Sequence, residues 1–413
     1  MKVTYVLLCV LGGAAFATLP TATAADTEWR IGEPIVTYWA GPASHNELND
    51  ITAAQLAAGG WNMGWADTVA QLDIYYRYGI RGMFSIGVPD LDDPAVASAL
   101  DEKIAQVRDH PALYAYYLTD EPGAAAFAKL GKVVAYLRER DPAHVAYINL
   151  YPTYANNEQL GIEGDTVTAY REYLRQFVDI VRPDLLSYDH YHFKKNGDGG
   201  QYFLNLALMR EAALKAGVPF VNIIQACAFN PGWRTPTAHE LRWLTYTSLA
   251  YGAQGISHFV YNCRLCRKSG FFRDCPESEV PLPIYWAASR INRDFVAVAE
   301  ELQPLNSLGA YHVGNVPQGG QPLPPDSHFT VTALANPPDI LLGCFGKSAG
   351  HPSHVLVVNL DYNNPVTTHL KGPGLLEVFH APTRTWAPSP TGSTAKLDLP
   401  PGGGTLVRLV KQT

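Results

Sequence analysis

The sequence is poor in charge: 17% of its residues are Asp, Glu, Lys or Arg, and 38 acids against 31 bases leave a net charge of −7. It has no long run of Lys and Arg, so neither nucleic acid nor an anionic membrane surface is an expected partner. No apolar run reaches the roughly 20 residues that a membrane-spanning helix needs. Phosphate-cradling Gly-x4-Gly-Lys-Ser/Thr is absent, as are the His-Glu-x-x-His metal motif and the Gly-x-Ser-x-Gly nucleophile elbow. The 35 glycines and 31 prolines are scattered without a three-residue period, which excludes a collagen-like chain. A hydrophobic content of 47% excludes disorder as the main state. What remains is a globular chain of 413 residues, long enough for two or three domains.

The first 24 residues read as a secretory signal peptide: Lys2, the apolar run Val6 to Phe16, then the small-residue site Ala22-Thr23-Ala24. The mature protein is therefore expected outside the cytoplasm, periplasmic or extracellular. Five cysteines remain after such cleavage, three of them in Cys263-x2-Cys266-x8-Cys275. In an oxidising compartment this cluster is expected to be a disulfide-stapled loop, with Cys266–Cys275 and Cys227–Cys263 as the preferred pairs. A tetrahedral zinc site is the competing reading of Cys-x2-Cys. Cys344, inside an apolar run, is expected to be a free core thiol.

Along residues 25–305 strand and helix signals alternate. The expected strands are Pro34–Trp39, Gly60–Trp65, Arg81–Ile86, Leu113–Leu118, Val145–Leu150, Leu185–Tyr188, Phe220–Ile224 and Ile256–Tyr261. Each precedes a helical segment, giving eight units in about 270 residues, the size of a closed (β/α)8 barrel. An open doubly wound sheet is disfavoured, because no Gly-x-Gly-x-x-Gly follows the first strand. After Leu305 the texture changes. Residues 315–326 carry four prolines and two adjacent glycines and read as a linker or long turn. Short β-type runs follow, so residues 306–413 are expected to form a small antiparallel β-sandwich.

In a (β/α)8 barrel the chemistry lies at the C-terminal ends of the strands. Those positions hold Trp39, Trp65 with Asp67, Asp120-Glu121, Asn149 with Tyr151, Asp189-His190-Tyr191-His192, Gln225 and Tyr261-Asn262. Aromatic faces mixed with hydrogen-bonding groups suit a carbohydrate. At the end of the fourth strand stands Tyr116-Tyr117-Leu118-Thr119-Asp120-Glu121-Pro122. Here the chain resembles the glycoside hydrolases of the large (β/α)8 clan that contains β-galactosidases and many cellulases, whose acid/base Glu ends the fourth strand in Asn-Glu-Pro. The stretch Ala250-Tyr251-Gly252-Ala253-Gln254-Gly255-Ile256 is similar to the same clan's galactosidase-like members.

The resemblance implies a barrel with a trailing sandwich, hydrolysis of a glycosidic bond without a cofactor, and Glu121 as proton donor. A helix cap is the plain alternative for Asp120-Glu121-Pro122. The sequence departs from the clan twice. Asp120 replaces the usual Asn, and Gln225 stands where the clan's nucleophilic Glu ends the seventh strand. Three acids compete for the second carboxylate. Glu240 sits in Thr237-Ala238-His239-Glu240, which has capping-box spacing, and Asp67 is expected to form a turn or an N-cap before the second helix. Asp189 is taken as the provisional second carboxylate. Trp39, Asp120, Asn149, Tyr191, Gln225 and Tyr261 are expected to line the sugar site. A carbohydrate-binding barrel without activity, decayed at Gln225, and a hydrolase holding a metal on the cysteines or on Asp189 with His190 and His192 stay open as alternatives. The separation of the two carboxylates decides the stereochemistry, about 5–5.5 Å for retention and roughly 6.5–9.5 Å for inversion.

Overall fold

The computed structural model of the chain describes residues 33–43, 47–262, 270–272, 280–332 and 338–410. Strands and helices alternate as β1 (Ile35–Trp39), α1 (Asp50–Ala58), β2 (Met63–Ala66), α2 (Val69–Arg77), β3 (Arg81–Ser85), α3 (Pro94–Val107), β4 (Leu113–Asp120) and α4 (Phe127–Arg140). The pattern continues with β5 (Val145–Leu150), α5 (Thr166–Gln176), β6 (Leu186–His190), α6 (Tyr202–Ala216), β7 (Phe220–Gln225), α7 (Ala238–Ala250), β8 (Gly255–Phe259) and α8 (Pro283–Leu302). The strands pair in the order β1-β8-β7-β6-β5-β4-β3-β2, every ladder parallel.

The ring closes between β1 and β2 partly through side chains. Asn62 Oδ1 accepts from the Val36 N–H at 2.8 Å, its Nδ2 donates to the Pro34 carbonyl at 2.8 Å, and the Trp65 indole N–H donates to the Tyr38 carbonyl at 2.7 Å. All six residues of β5 and of β7 are buried, because helices cover the outside and side chains fill the inside.

Local sequence sets the helix starts. Asn49 and Thr237 close capping boxes on α1 and α7, and Asp93 precedes Pro94 at the start of α3. Of the two readings of Asp67, the turn holds, as a bend before α2, and the cap does not. Thr68 caps α2, because a cap oxygen must reach an N–H two or three residues on, and from Thr68 that donor is Gln71.

Beyond α8 the chain builds a seven-stranded sheet around residues 306–313, 340–346, 354–359, 404–409, 376–380 and 385–388. Its seventh member, Gln321–Pro322, lies within the segment expected to be a linker or long turn and pairs in parallel with Tyr311–His312. A three-stranded sheet (330–332, 366–371, 394–399) covers one face. Ile340, Leu342, Val355, Val357, Leu370, Leu397 and Val407 form the core between the two sheets. Alternation sends Leu341, Phe345, Leu356, Val358 and Leu406 the other way, into a core continuous with the barrel's.

Polar contacts fix this docking: Tyr251 OH with His312 Nε2 at 3.0 Å, and the Arg210 guanidinium on the Ser307 hydroxyl and carbonyl at 2.8 and 2.9 Å. At Gly343 the sheet backbone lies so close to α7 that a Cβ would overlap the Ala250 carbonyl.

Cys344 is a buried free thiol in the sandwich core, and Cys227 is also free, buried beside Ala40 and Val260. The expected Cys227–Cys263 staple is therefore corrected, since Cys227 packs as a small apolar side chain. Cys263, Cys266 and Cys275 lie outside the described residues.

The docking generates a stability prediction. Gly343→Val should lower stability by at least about 1–3 kcal/mol, the usual range for overpacking a filled contact. Because both layers share one core, urea unfolding followed by circular dichroism should show a single transition at a lower midpoint.

Candidate active site

The mouth formed by the C-terminal strand ends has two aromatic walls and one acidic pole. Trp39, Trp65 and Tyr117 meet edge to face, with ring centroids 4.7–5.7 Å apart. Across the mouth Tyr191 packs on Phe229 and Phe259 at 4.8 Å each, and its backbone N–H donates to the Tyr154 hydroxyl at 3.4 Å. Tyr154 leaves 43% of its surface exposed and offers a face to anything bound there.

The acidic pole is built on β4, β5 and β6. The ladder between β4 and β5 slips between Tyr117 and Thr119, which brings Asp120 opposite Asn149. Asn149 Nδ2 then donates to Asp120 Oδ1 at 2.9 Å and to Asp189 Oδ1 at 3.0 Å. The Ser187 hydroxyl donates to Asn149 Oδ1 at 3.1 Å and is itself 2.8 Å from the Tyr147 hydroxyl, so the amide has one orientation.

Glu121 follows in a left-handed conformation, φ 45°. This costs a non-glycine residue of order 1 kcal/mol and is held by the surrounding structure. Its backbone N–H donates to the Asn149 carbonyl at 2.8 Å, and the Pro122 carbonyl accepts from Tyr173 OH at 2.8 Å. The twist brings the Glu121 carboxyl into a hydrogen bond with Asp189.

Electrostatics follow from this crowding. Burial first, and the Asp120 charge second, push Glu121 up to about 7, while the bond from Asp189 pulls the other way. Asp189 is buried at 4% exposure, and its desolvation together with the Glu121 charge raises it well above the usual carboxylate range. Asp120 keeps an edge in solvent, yet the protein packed around it still raises its carboxyl, opposed by the Asn149 amide. Two such carboxyls in contact share one proton rather than both ionising.

The helix-cap alternative for Asp120-Glu121-Pro122 does not match the structure. A 3₁₀ turn at Ala124–Ala126 intervenes, α4 starts at Phe127, and neither element has a side-chain cap.

The structure thus brings together Glu121, Asp189, Asp120 and Asn149, with Trp39 and Tyr191 on the flanking walls. Tyr261 goes elsewhere. It packs among Tyr38, Trp61 and Phe272 at 4.9–5.1 Å, on the helix side of the wall where Tyr38 reaches Tyr75 of α2.

Gln225 is fully buried and committed to the backbone. Its Oε1 accepts from the Phe193 N–H at 2.8 Å, and its Nε2 donates to the Phe193 and Arg234 carbonyls at 3.0 and 2.7 Å. Glu240 completes its capping box and also grips Arg234 with both oxygens, at 2.6 and 2.7 Å. His190 points to the helix side, its Nδ1 2.9 Å from Asn205 Oδ1, and His192 stacks on Trp243, so neither converges with Asp189. Sequence reasoning passed over Ser187 and Tyr147. Their only signal was a polar residue at an inward position of a buried strand.

No family model and no curated protein matches the sequence. Among solved structures, one described as a glycoside hydrolase superposes with a TM-score of 0.55 at 11% identity, covering 92% of this chain and 93% of that one. A glycoside hydrolase family 5 protein from Bacteroides vulgatus gives 0.54 at 11% identity, covering 91% of this chain and 88% of its own. At such identity the likeness is one of fold, and a fold by itself assigns no role to a residue. Over some nine-tenths of its length, the chain has the fold of these glycoside hydrolases.

Proposed function

We propose that the protein is a secreted glycoside hydrolase in which Glu121 delivers the proton to the departing glycosidic oxygen. The observation that carries this reading is the Glu121–Asp189 pair at the barrel mouth, where burial lifts Glu121 to about 7. A carboxyl with that affinity holds a proton near neutral pH and can still give it up, which general acid catalysis requires. The aromatic walls supply faces for a sugar ring, and Asp120, held by Asn149, offers hydrogen bonds to its hydroxyls. Asp189 acts first as the partner that shares the Glu121 proton, since their contact leaves no room for a sugar between them. The signal-like first 24 residues support export.

Glu121→Gln keeps the size and removes the proton. For a poor leaving group kcat/KM should fall by about 10²–10⁴-fold. An aryl glycoside with an activated leaving group should lose much less in the bond-cleaving step. Near-normal rates on a natural glycan would remove the assignment, and binding without turnover on a broad polysaccharide panel would favour the carbohydrate-binding barrel.

The pH profile should carry the signature of the pair. Activity needs the proton on Glu121, so kcat/KM should fall as pH rises through about 7. Asp120→Asn removes a negative neighbour and should move that limb to lower pH. The fold should also lose stability as pH rises from the ordinary value of 4.5 through about 7, because the folded chain holds a proton there that the unfolded chain releases. Thermal melts across that range check the sign.

Gln225→Glu restores the residue type of the clan's nucleophile, yet it should not raise activity. A carboxylate cannot donate to the Phe193 and Arg234 carbonyls, so two buried acceptors would face a negative charge. The expected result is a Tm lowered by several degrees, at about 1–3 kcal/mol for each unpaired buried group, with no gain in turnover.

A further inference from the structure

The site has an acid and lacks a nucleophile in the expected place. Retaining glycosidases hold their two carboxyls about 5–5.5 Å apart and inverting ones roughly 6.5–9.5 Å. Glu121 and Asp189 instead touch, closer than either arrangement. At the end of β7, Gln225 is bound on three sides by backbone, and Glu240 is spent on Arg234 and the Thr237 N–H. Asp189 nevertheless sits in a prepared position, fixed through Asn149, Ser187 and Tyr147. A second carboxyl held beside the acid, with Gln225 and Glu240 both engaged elsewhere, suits a substrate that brings its own nucleophile.

We propose that the site takes a β-linked 2-acetamido-2-deoxy sugar, whose acetamido oxygen rather than a side chain of the protein attacks the anomeric carbon. This rests on the glycosidase reading above and names its substrate class. In the first step Glu121 gives its proton to the glycosidic oxygen as the bond from that oxygen to C1 breaks. The acetamido oxygen forms a new bond to C1, closing a five-membered ring. Asp189, left ionised as the shared proton passes to Glu121 when the acetamido N–H takes the place of Glu121 beside it, accepts the hydrogen bond of that N–H and takes its proton, leaving a neutral oxazoline. In the second step Glu121, now a carboxylate, removes a proton from water as the water oxygen attacks C1. The ring C1–O bond breaks, Asp189 returns its proton to nitrogen, and the sugar leaves with retained configuration. One shared proton thus sets up both roles, an acid at Glu121 and an acceptor at Asp189.

The test uses the full chain and two matched sets of 4-nitrophenyl β-glycosides, the 2-acetamido gluco and galacto sugars against their 2-hydroxy counterparts. The acetamido set should turn over with kcat/KM at least about 10²-fold higher, since a well-placed internal nucleophile carries a very high effective concentration. Mono-, di- and trifluoroacetyl substitution drains electron density from the attacking oxygen and should lower kcat stepwise. Proton NMR should show the β-anomer released first, and Asp189→Asn should slow the acetamido substrates by at least about 10²-fold. Equal or faster cleavage of the 2-hydroxy set, or rates indifferent to fluorination, would overturn the proposal and leave the glycosidase reading standing. An inverted product would also overturn it, pointing to water activated by another acid such as Asp67. Cleavage of no glycoside by the folded chain, on these substrates or on polysaccharides, would remove both.

Discussion

One amide organises the mouth of this barrel. Asn149 has two N–H groups and gives one to Asp120 and one to Asp189, while Ser187 and Tyr147 prevent the amide from turning round. Three carboxyls would otherwise repel one another, most strongly at the buried Asp189. The amide donates to two of them, and Glu121 and Asp189 are accommodated by sharing a proton. The left-handed backbone at Glu121 and the slip in the β4–β5 ladder serve the same arrangement, since a regular strand would send consecutive side chains to opposite faces.

The second layer reaches this site less remotely than its position in sequence implies. Gln225 pins the Phe193 and Arg234 segments, and Arg234 in turn holds Glu240 and Asp198. Asp198 accepts from the Tyr362 hydroxyl of the sandwich, whose ring packs on Phe193 and Trp243. Gln225 is therefore part of a brace between barrel wall and sandwich. Its amide suits that use, because only a group that both donates and accepts can satisfy a backbone N–H and two carbonyls together.

Several elements were readable because their signals are local. Eight strand–helix repeats follow from hydrophobic period and turn residues, and the capping box at Thr237 and Glu240 lies within four residues. Glu121 stood out through its motif and Asp189 through its place at a strand end. Other readings failed where side-chain direction decided the matter. Tyr261 looked like a mouth residue, but the chain leaves β8 so that its ring turns toward Trp61 and the helices. Cys227 looked like half of a disulfide, and packing made it a small buried side chain. Asp67 looked like a turn or a cap; it lies in the bend, and Thr68 one residue later has the reach to cap.

By itself the sequence determined the order of the elements, the barrel and sandwich they form, and the pair of carboxyl residues at the end of the fourth strand. These rest on periodicity and on residue types whose preferences act over a few positions. Only the tertiary structure decided that Glu121 and Asp189 touch, that Asn149 holds Asp189 and Asp120 together, and that Gln225 faces backbone rather than ligand. Those outcomes depend on residues tens of positions apart meeting across neighbouring strands, and on burial that changes which protonation state costs least. Neither can be computed from a stretch of chain before the ring has closed.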